Sequence, residues 1–188
     1  MPSRSLPPKS ALLGRRWDVP DVGRVCLVDV TRKMLVSVDD LWPYLRFQND
    51  MHKHWRWLTI MDDAPEQFAL IDKTDDVVAL WCSGKKRPLK LPEATCYRLD
   101  RIEIHPKLRG GAMGLFAFAL VAARALEVGS DGIVLAAIPA VRRFYQAAGG
   151  EERLADGWIS PPGLVPFFFP REALSNLKEM TDAYAVED

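Results

Sequence analysis

Six residues that follow a predicted strand have the types needed to bind a phosphate group. They are Arg109, Gly110, Gly111, Ala112, Met113 and Gly114, and a long apolar stretch follows them. Small side chains let several backbone N–H groups point at one anion, which the positive end of a helix also favours. Arg109 adds a positive charge. The spacing fits neither a Walker A loop nor G-x-G-x-x-G. We predict a pyrophosphate-binding loop, with a glycine turn that serves only close packing as the alternative.

Strand, turn, helix and strand follow one another around this loop. Residues 95–105 predict a long strand whose apolar positions change phase near Asp100 and Arg101, which indicates a β-bulge there. Residues 115–129 predict a largely buried helix, and 132–138 predict a buried strand. This βαβ order indicates an α+β or α/β fold on a mixed sheet.

Further elements are predicted on both sides of this unit. Strands are expected at 24–30, 67–72, 77–83 and 164–169, and helices at 50–57, 140–148 and 171–181. The acidic run after Ser37 indicates the start of another helix. Residues 1–16 carry three prolines and no hydrophobic period. We therefore expect a flexible arm at 1–16 and a single domain over 17–188.

Two motifs make this chain similar to a known family. The residues IEIHPKLRGGAMG at 102–114 resemble the GNAT acetyltransferase signature hydrophobic-x-hydrophobic-x-Pro-x-x-Arg-Gly-x-Gly-x-Gly. The residues FYQAAG at 144–149 resemble the family's Phe-Tyr-x-x-x-Gly element, and a predicted strand lies between the two motifs. The resemblance is specific over 99–150. Before Asp76 it rests only on the order of the elements.

The resemblance implies a mixed, mostly antiparallel twisted sheet flanked by helices, in which a parallel strand pair splays into a V-shaped cofactor cleft. It implies acetyl-CoA as co-substrate, held by a cofactor core over about 95–150. The pyrophosphate would bind the backbone N–H groups of 109–114. The pantetheine arm would pair with the bulged strand around Glu103 and Ile104. Tyr145 would stand near the sulfur and protonate the departing thiolate.

Tyr145 and Glu103 are the predicted catalytic residues. A free tyrosine has a pKa of about 10, so at neutral pH the hydroxyl of Tyr145 can donate a proton. Glu103 lies between two isoleucines expected to face the core, so its side chain points to the other face and can accept the ammonium proton directly or through water. His105 shares that face and is the alternative base. Non-catalytic alternatives are a tyrosine packed beside Phe144 and surface residues at a strand end.

Three positions depart from the family pattern. Ala112 replaces a glycine, which is tolerable if its φ stays negative. Ile138 stands seven residues before the tyrosine, where the family often has asparagine, and Gly150 replaces the usual aromatic. These departures bear on catalysis more than on the fold.

The first half of the chain concentrates aromatic and histidine side chains. In the family, the early helices shape the acceptor pocket, so these side chains either contact substrate or pack against the sheet. They are Trp42, Tyr44, Phe47, His52, His54, Trp55 and Trp57. Because His52 and His54 are two apart, a helix would turn them to different sides, and we predict no metal site.

The composition is that of a globular domain. The chain has 188 residues, of which 48% are hydrophobic and 27% charged. Lys+Arg and Asp+Glu are 25 each, a balance that does not favour nucleic acid as a partner. No stretch without Asp, Glu, Lys or Arg exceeds 14 residues, so no membrane span is predicted. The start lacks the apolar core of a secretory signal. Three distant cysteines suggest reduced thiols and a cytoplasmic protein.

Together these features predict an acetyltransferase that moves an acetyl group from acetyl-CoA to a primary amine by direct transfer in a ternary complex. The expected acceptor is a small-molecule or protein amine, whose identity the sequence leaves open. It leaves the oligomeric state open as well, a homodimer included. One alternative is a non-catalytic acyl-CoA-binding sensor or scaffold. Another is a toxin-like enzyme that acetylates aminoacyl-tRNA, which the basic loop at 85–90 would allow.

Overall fold

The computed structural model describes residues 8–42, 57–60, 66–86, 95–153 and 161–186. In this part of the chain, seven strands form one sheet in which they lie side by side in chain order. The strands are β1 (Arg16–Val19), β2 (Gly23–Asp29), β3 (Glu66–Asp72), β4 (Val77–Lys86), β5 (Cys96–Ile104), β6 (Gly132–Ala137) and β7 (Val165–Pro170). Neighbouring strands are antiparallel except β5 and β6, which are parallel. The predicted mixed, mostly antiparallel α+β fold is confirmed.

Helices cover both faces of this sheet. They are α1 (Arg32–Leu41), α2 (Trp57–Ile60), α3 (Ala112–Glu127), α4 (Arg142–Ala147) and α5 (Arg171–Ala183). The main core lies between the sheet and α3 with α5, and α3 is buried along most of its length, as its apolar sequence predicts. A smaller core lies on the opposite face, where α1 and α2 pack on β3 and β4. Within the described ranges, no helix is both long and apolar enough to cross a membrane.

The bulge and the splay that the sequence predicts are both present. Cys82 of β4 pairs with Arg101 and the next residue, Ser83, pairs with Leu99, so Asp100 is the extra residue of β5. Pairing between β5 and β6 stops at Leu99 and Leu135, although the strands continue to Ile104 and Ala137. The two parallel strands therefore part after the bulge, and a V-shaped cleft opens between them.

The prediction that a helix begins near Ser37 is wrong. Helix α1 begins six residues earlier at its N-cap Thr31, whose hydroxyl accepts a hydrogen bond from the backbone N–H of Met34 at 3.3 Å. The acids that suggested a helix start lie in its last turn instead. Of these, Asp39 caps α2, because its carboxylate accepts the backbone N–H groups of Trp57 and Leu58 at 2.9 and 3.1 Å.

The first described residues contact α3. The Ser10 hydroxyl and the Ala11 N–H donate to the Glu127 carboxylate at 2.7 and 2.5 Å, and Arg124 donates to the carbonyl of Pro8 at 2.6 Å. Strand β1 follows this segment and was not predicted from the sequence. Residues 1–7 lie outside the described ranges, so the domain boundary after residue 16 stays a prediction.

Candidate active site

The predicted phosphate loop leads from β5 into α3. After Ile104 the chain makes a 3₁₀ turn at Pro106–Leu108, and Gly110 then adopts a φ of 80°, a left-handed conformation that favours glycine. Gly111 is the N-cap of α3 and supplies no side-chain hydrogen bond, and the first turn contains no acidic residue. The first N–H groups of α3 therefore have neither a side-chain cap nor a nearby carboxylate of their own helix. An anion fits this helix end.

The other loop residues belong to the helix itself. Ala112 is the first residue of α3, and its φ is not positive, so the methyl group that replaces a family glycine causes no backbone strain. Met113 is fully buried in the core, so only its backbone can serve a ligand. A Cβ added at Gly114 would lie 3.9 Å from the Phe144 ring, an ordinary contact.

Arg109 contacts the last two residues of β5. Its Nη2 lies 3.0 Å from Oε1 of Glu103, and its Nε donates to the carbonyl of Ile104 at 3.1 Å. The guanidinium therefore contacts two groups that are predicted to serve the reaction, the Glu103 carboxylate and the Ile104 carbonyl. The side chain is 23% exposed, so it lies at the edge of the core and not within it.

Glu103 points to the face predicted for it. It pairs with Leu80, which belongs to the core under α1 and α2, whereas Ile102 and Ile104 pack on the other core. The side chain is 6% exposed, so the alternative of a surface residue is wrong. Its Oε2 accepts the indole N–H of Trp57 at 2.7 Å. An indole on one oxygen and a guanidinium on the other hold the carboxylate in place.

His105 is the less suitable base in this arrangement. Burial, and after it the charge of Lys107, lowers the pKa of His105 below its ordinary value, so the imidazole is neutral at pH 7. Its Nδ1 accepts the backbone N–H of Lys107 at 3.3 Å, which favours the tautomer with the proton on Nε2. The ring packs edge-on against Trp42, with 5.6 Å between the centroids. Nε2 is then a hydrogen-bond donor.

Tyr145 lies in an aromatic cluster between α3, α4 and β7. Its ring centroid is 5.3 Å from that of Phe118, 5.0 Å from Phe144 and 5.5 Å from Phe167. Burial raises the pKa of the Tyr145 hydroxyl, so it keeps its proton at neutral pH. Among the described residues this hydroxyl has no hydrogen-bond partner. The ring packs beside Phe144 as the non-catalytic alternative predicts.

Comparison with known proteins identifies the architecture. No protein-family model matches the sequence, and no curated protein matches it. Solved structures do match. A GNAT-family acetyltransferase from Listeria monocytogenes is 11% identical, with a TM-score of 0.60 over 82% of this chain and 99% of that one. The chain has the GNAT fold.

Other solved structures agree with this assignment. A chimeric spermidine N-acetyltransferase containing Vibrio cholerae SpeG is 13% identical, with a TM-score of 0.55 over 81% of this chain and 98% of that one. The AtaTR structure bound with acetyl-CoA is 15% identical, with a TM-score of 0.55 over 81% and 97% of the two chains. At such low identities the comparison shows the fold, and the acceptor has to be argued from the site.

The residues present fit acetyl-CoA at the place where the GNAT fold would hold it. The α3 N-terminus offers N–H groups without a cap, and a Cβ at Gly111 would meet only the Leu108 carbonyl at 3.7 Å, so the loop is not crowded. Beyond Leu99, no strand in the described part of the chain pairs with β5 on the β6 side, so an extended ligand can pair there.

Packing explains one departure from the GNAT pattern. A Cβ at Gly150 would lie 2.5 Å from the Phe169 ring and 2.8 Å from the Tyr145 carbonyl. Phe169 of β7 thus fills the space where a side chain at position 150 would begin. Ile138, at the position of the family's asparagine, precedes a 3₁₀ turn and makes no side-chain cap.

The contact between Trp57 and Glu103 was not predicted from the sequence. The two residues are 46 positions apart, and α2 has only four residues, so no spacing pattern links them. Of the predicted aromatic group, Trp42 and Trp57 are buried, as the packing alternative predicts. The others, Tyr44, Phe47, His52, His54 and Trp55, lie outside the described residues, as does the side-chain structure of the basic loop. Where residues are described, no three His, Cys, Asp or Glu side chains are grouped to hold a metal ion.

Proposed function

We propose that the protein transfers an acetyl group from acetyl-CoA to a primary amine by direct attack in a ternary complex. The observation that carries this proposal is the splay of β5 and β6 directly in front of the uncapped N-terminus of α3. The cleft can take an extended arm, and the helix end can take its phosphates. Acetyl-CoA bound to a protein of this fold, AtaTR, supports the choice of co-substrate.

Glu103 and Tyr145 carry the groups suited to the two proton transfers. Acetyl-CoA supplies the activated acetyl group: the amine nitrogen forms the new bond to carbon as the carbon–sulfur bond breaks. Glu103 takes the proton that the ammonium group must lose, directly or through water. Tyr145 gives its proton to the departing thiolate. The burial that raises the pKa of Tyr145 keeps its hydroxyl protonated at neutral pH, which is the form that can donate.

A covalent route through cysteine has no support at this site. Cys26, Cys82 and Cys96 are all free thiols. Burial raises the pKa of Cys82 to about 12 and raises that of Cys96, so neither is a thiolate at neutral pH. Direct transfer needs no such nucleophile.

Turnover assays can identify the acceptor and can distinguish the proposed enzyme from the sensor and toxin alternatives. Proteins of this fold include a spermidine N-acetyltransferase and one described as a bacterial toxin, so the fold admits both small amines and the toxin alternative. A negative φ at position 112 removes one reason for the sensor alternative, namely that Ala112 would disturb phosphate binding. We expect product from at least one member of a panel of polyamines, peptide N-termini and aminoacyl-tRNA, detected by mass spectrometry.

Tyr145→Phe tests the enzyme against the sensor. The variant keeps the ring and its packing and removes only the hydroxyl, so kcat should fall roughly 10²–10⁴-fold while the CoA-induced rise in melting temperature is retained. Tyr184→Phe is the matched control, because Tyr184 packs on Phe116 away from the cleft. Full activity in Tyr145→Phe would make Tyr145 a packing residue. Tight CoA binding with no turnover of any acceptor would support the sensor.

Gly111→Asp tests where the phosphates bind. Aspartate is a favoured N-cap residue, so the free variant should fold at least as stably as the wild type, while its carboxylate occupies the anion site. The rise in melting temperature with CoA should disappear. Gly111→Ala, whose methyl group meets only the Leu108 carbonyl at 3.7 Å, should keep it. An unchanged rise in Gly111→Asp would show that the phosphates bind elsewhere.

A further inference from the structure

Trp57 lies outside both motifs that resemble the GNAT pattern, yet its side chain contacts the proposed base. It is the first residue of α2 and is fully buried in the smaller core, on the face of the sheet to which Glu103 points. Its indole N–H donates to Oε2 of Glu103 at 2.7 Å. The bond joins a buried tryptophan of the helical layer to a buried carboxylate of the sheet.

We propose that Trp57 is a positioning residue for the acetyl transfer, which holds the Glu103 carboxylate in the orientation that receives a proton from the ammonium group of the acceptor. This inference rests on the proposed function, in which Glu103 is the base. In that step an N–H bond of the ammonium group breaks and an O–H bond forms on the carboxylate. The products are a neutral amine, whose lone pair can attack, and a neutral carboxyl group.

An indole suits this role because it donates a hydrogen bond and has no acceptor atom. It can fix a carboxylate, and it cannot take up the proton that the carboxylate receives. It is also neutral, so it adds no positive charge to repel an incoming ammonium group. A carboxylate has about four acceptor positions, of which the bond from Trp57 uses one.

The backbone of Trp57 is held by α1. The Asp39 carboxylate accepts the N–H groups of Trp57 and Leu58 at 2.9 and 3.1 Å, so it fastens the start of α2 to the last turn of α1. Helix α1 in turn buries Leu35 and Val38 in the same core. The indole therefore projects from a backbone with a fixed place on the sheet. Such support matters in catalysis, because a displacement of about 1 Å can cost roughly 10²-fold in rate.

The sheet holds Glu103 from the other side. Glu103 pairs with Leu80 of β4, and Leu80 is fully buried in the core that contains Trp57. The Glu103 side chain is 6% exposed, so the dense packing around it restricts its rotamers. The bond from Trp57 adds a restriction on the rotation of the carboxylate itself. A residue 46 positions away in the sequence thus completes the placement of the base.

A second tryptophan of the same core, Trp42, provides a matched control. Trp42 is 3% exposed, and its ring packs edge-on against His105, the alternative base, with 5.6 Å between the centroids. Trp42→Phe therefore removes a similar volume from the same core and leaves the donor to Glu103 in place. The melting temperatures of Trp42→Phe and Trp57→Phe check that the two variants fold and show how far each loses stability.

The pH dependence of the rate separates positioning from stability. Trp57→Phe keeps an aromatic ring and removes the N–H, so kcat/KM at pH 7 should fall roughly 10–10²-fold with the most active polyamine or peptide acceptor. As the pH rises toward about 10, the free amine loses its proton and the deficit should shrink. Arg109, whose Nη2 lies 3.0 Å from Glu103, and His105 are present in both variants and do not cause the difference.

Two results would overturn the positioning role while the proposed acetyl transfer stands. A deficit in Trp57→Phe that is the same at every pH would make Trp57 a structural residue. A deficit that depends on pH in Trp42→Phe alone would assign the base to His105. Absence of turnover in the wild type with every acceptor would overturn the acetyl transfer, and the role of Trp57 with it.

A double-mutant cycle links the effect to the carboxylate. Glu103→Gln removes the base, so Trp57→Phe in this background should change kcat/KM by less than about twofold. The single effects would then not multiply in the double variant. Effects that do multiply would show that Trp57 acts independently of Glu103 and would overturn the proposal.

Nuclear magnetic resonance tests the hydrogen bond without turnover. The indole N–H signal of Trp57, assigned by its loss in Trp57→Phe, should move upfield in Glu103→Gln, because an amide oxygen accepts more weakly than a carboxylate. Asp100→Asn also removes a negative charge from β5, but at the ion pair with Arg98, and should leave the signal nearly unchanged. A signal that does not move in Glu103→Gln would show that the bond is absent in solution and would overturn the positioning role.

Discussion

The molecule contains two glutamate–arginine pairs with the same chemistry and different surroundings. Glu103 and Arg109 meet at the splayed end of β5, and Glu66 and Arg124 meet near its other end, where β5 still pairs with β6. The Arg109 side chain is 23% exposed, but that of Arg124 is only 2% exposed. The two pairs therefore differ in how deeply the arginine is buried.

The pair at the closed end is part of a buried network. Arg124 donates to Glu66, to Glu127 at 2.7 Å and to the Pro8 carbonyl at 2.6 Å. The other oxygen of Glu66 accepts the Tyr97 hydroxyl at 2.5 Å. Hydrogen bonds to Glu66 and Glu127 outweigh the effect of burial and raise the pKa of Arg124, so it stays charged. A buried guanidinium whose partners lie on β3, on α3 and in the N-terminal segment cannot move without breaking bonds to all three.

The pair at the open end lacks this enclosure. Arg109 belongs to a glycine loop and not to a helix interior, and it faces a site that fits a competing anion. Within one fold, a Glu–Arg pair therefore fastens the N-terminal residues to α3 at one end of β5, and a second, less enclosed pair lies beside the phosphate loop at the other end. Three measurements on stability test this difference.

The largest loss of unfolding free energy is expected from Arg124→Met. The substitution keeps most of the side-chain volume but leaves the Glu66 carboxylate buried without its cation, and breaking a buried pair in this way costs about 3–5 kcal/mol of unfolding free energy. Urea denaturation measures it. Arg24→Met is the matched control, since Arg24 and its partner Asp18 are 55% and 60% exposed, and we expect a change below about 0.5 kcal/mol. Equal effects in the two variants would contradict the structural role of Arg124.

A smaller effect is expected from Arg109→Met. Glu103 keeps the indole N–H of Trp57, and the exposed side of Arg109 lets water reach the carboxylate. We expect a loss of about 1–2 kcal/mol in the same denaturation experiment, clearly below that of Arg124→Met. A loss as large as that of Arg124→Met would contradict the expected difference and show that Arg109 stabilises the fold as strongly as Arg124.

The same comparison separates what the sequence can and cannot predict. The loop of 109–114, the bulge at Asp100 and the buried helix α3 are local patterns, in which neighbouring residues determine the conformation. These were predictable from the residues themselves, whereas the splayed cleft was expected only from the resemblance to the GNAT family. The start of α1 was not, because the acids taken as a helix start serve a different helix, with Asp39 capping α2.

The partners of the two pairs were not predictable either. Arg124 and Glu66 are 58 positions apart, and Ser10 and Glu127 are 117 apart. A lone arginine in an apolar helix gives no sign of which acid it meets, because that depends on how the sheet brings distant segments together. For the same reason the sequence assigned Arg109 to the phosphates and Glu103 to the acceptor, and did not indicate that the two contact each other.

The smallest effect is expected from Glu127, at the outer side of the closed-end network. Burial alone would raise its pKa, but hydrogen bonds from Ser10, Ala11 and Arg124 outweigh it, so the pKa of Glu127 lies below its ordinary value. A carboxyl group with a lowered pKa in the folded state stabilises the protein at pH values above its unfolded pKa. That contribution is lost as the pH falls through the folded value.

Glu127→Gln should therefore be less stable than the wild type at pH 7, by about 1 kcal/mol or less because the side chain is 25% exposed. The difference should shrink as the pH falls below the ordinary carboxyl range, where both proteins carry a neutral group. Urea denaturation at pH 7, 5 and 3 measures it. Glu179→Gln, on α5 and outside the network, is the control and should show no such convergence. A difference between Glu127→Gln and wild type that is constant over this range would mean that packing, and not charge, fastens the N-terminal residues to α3.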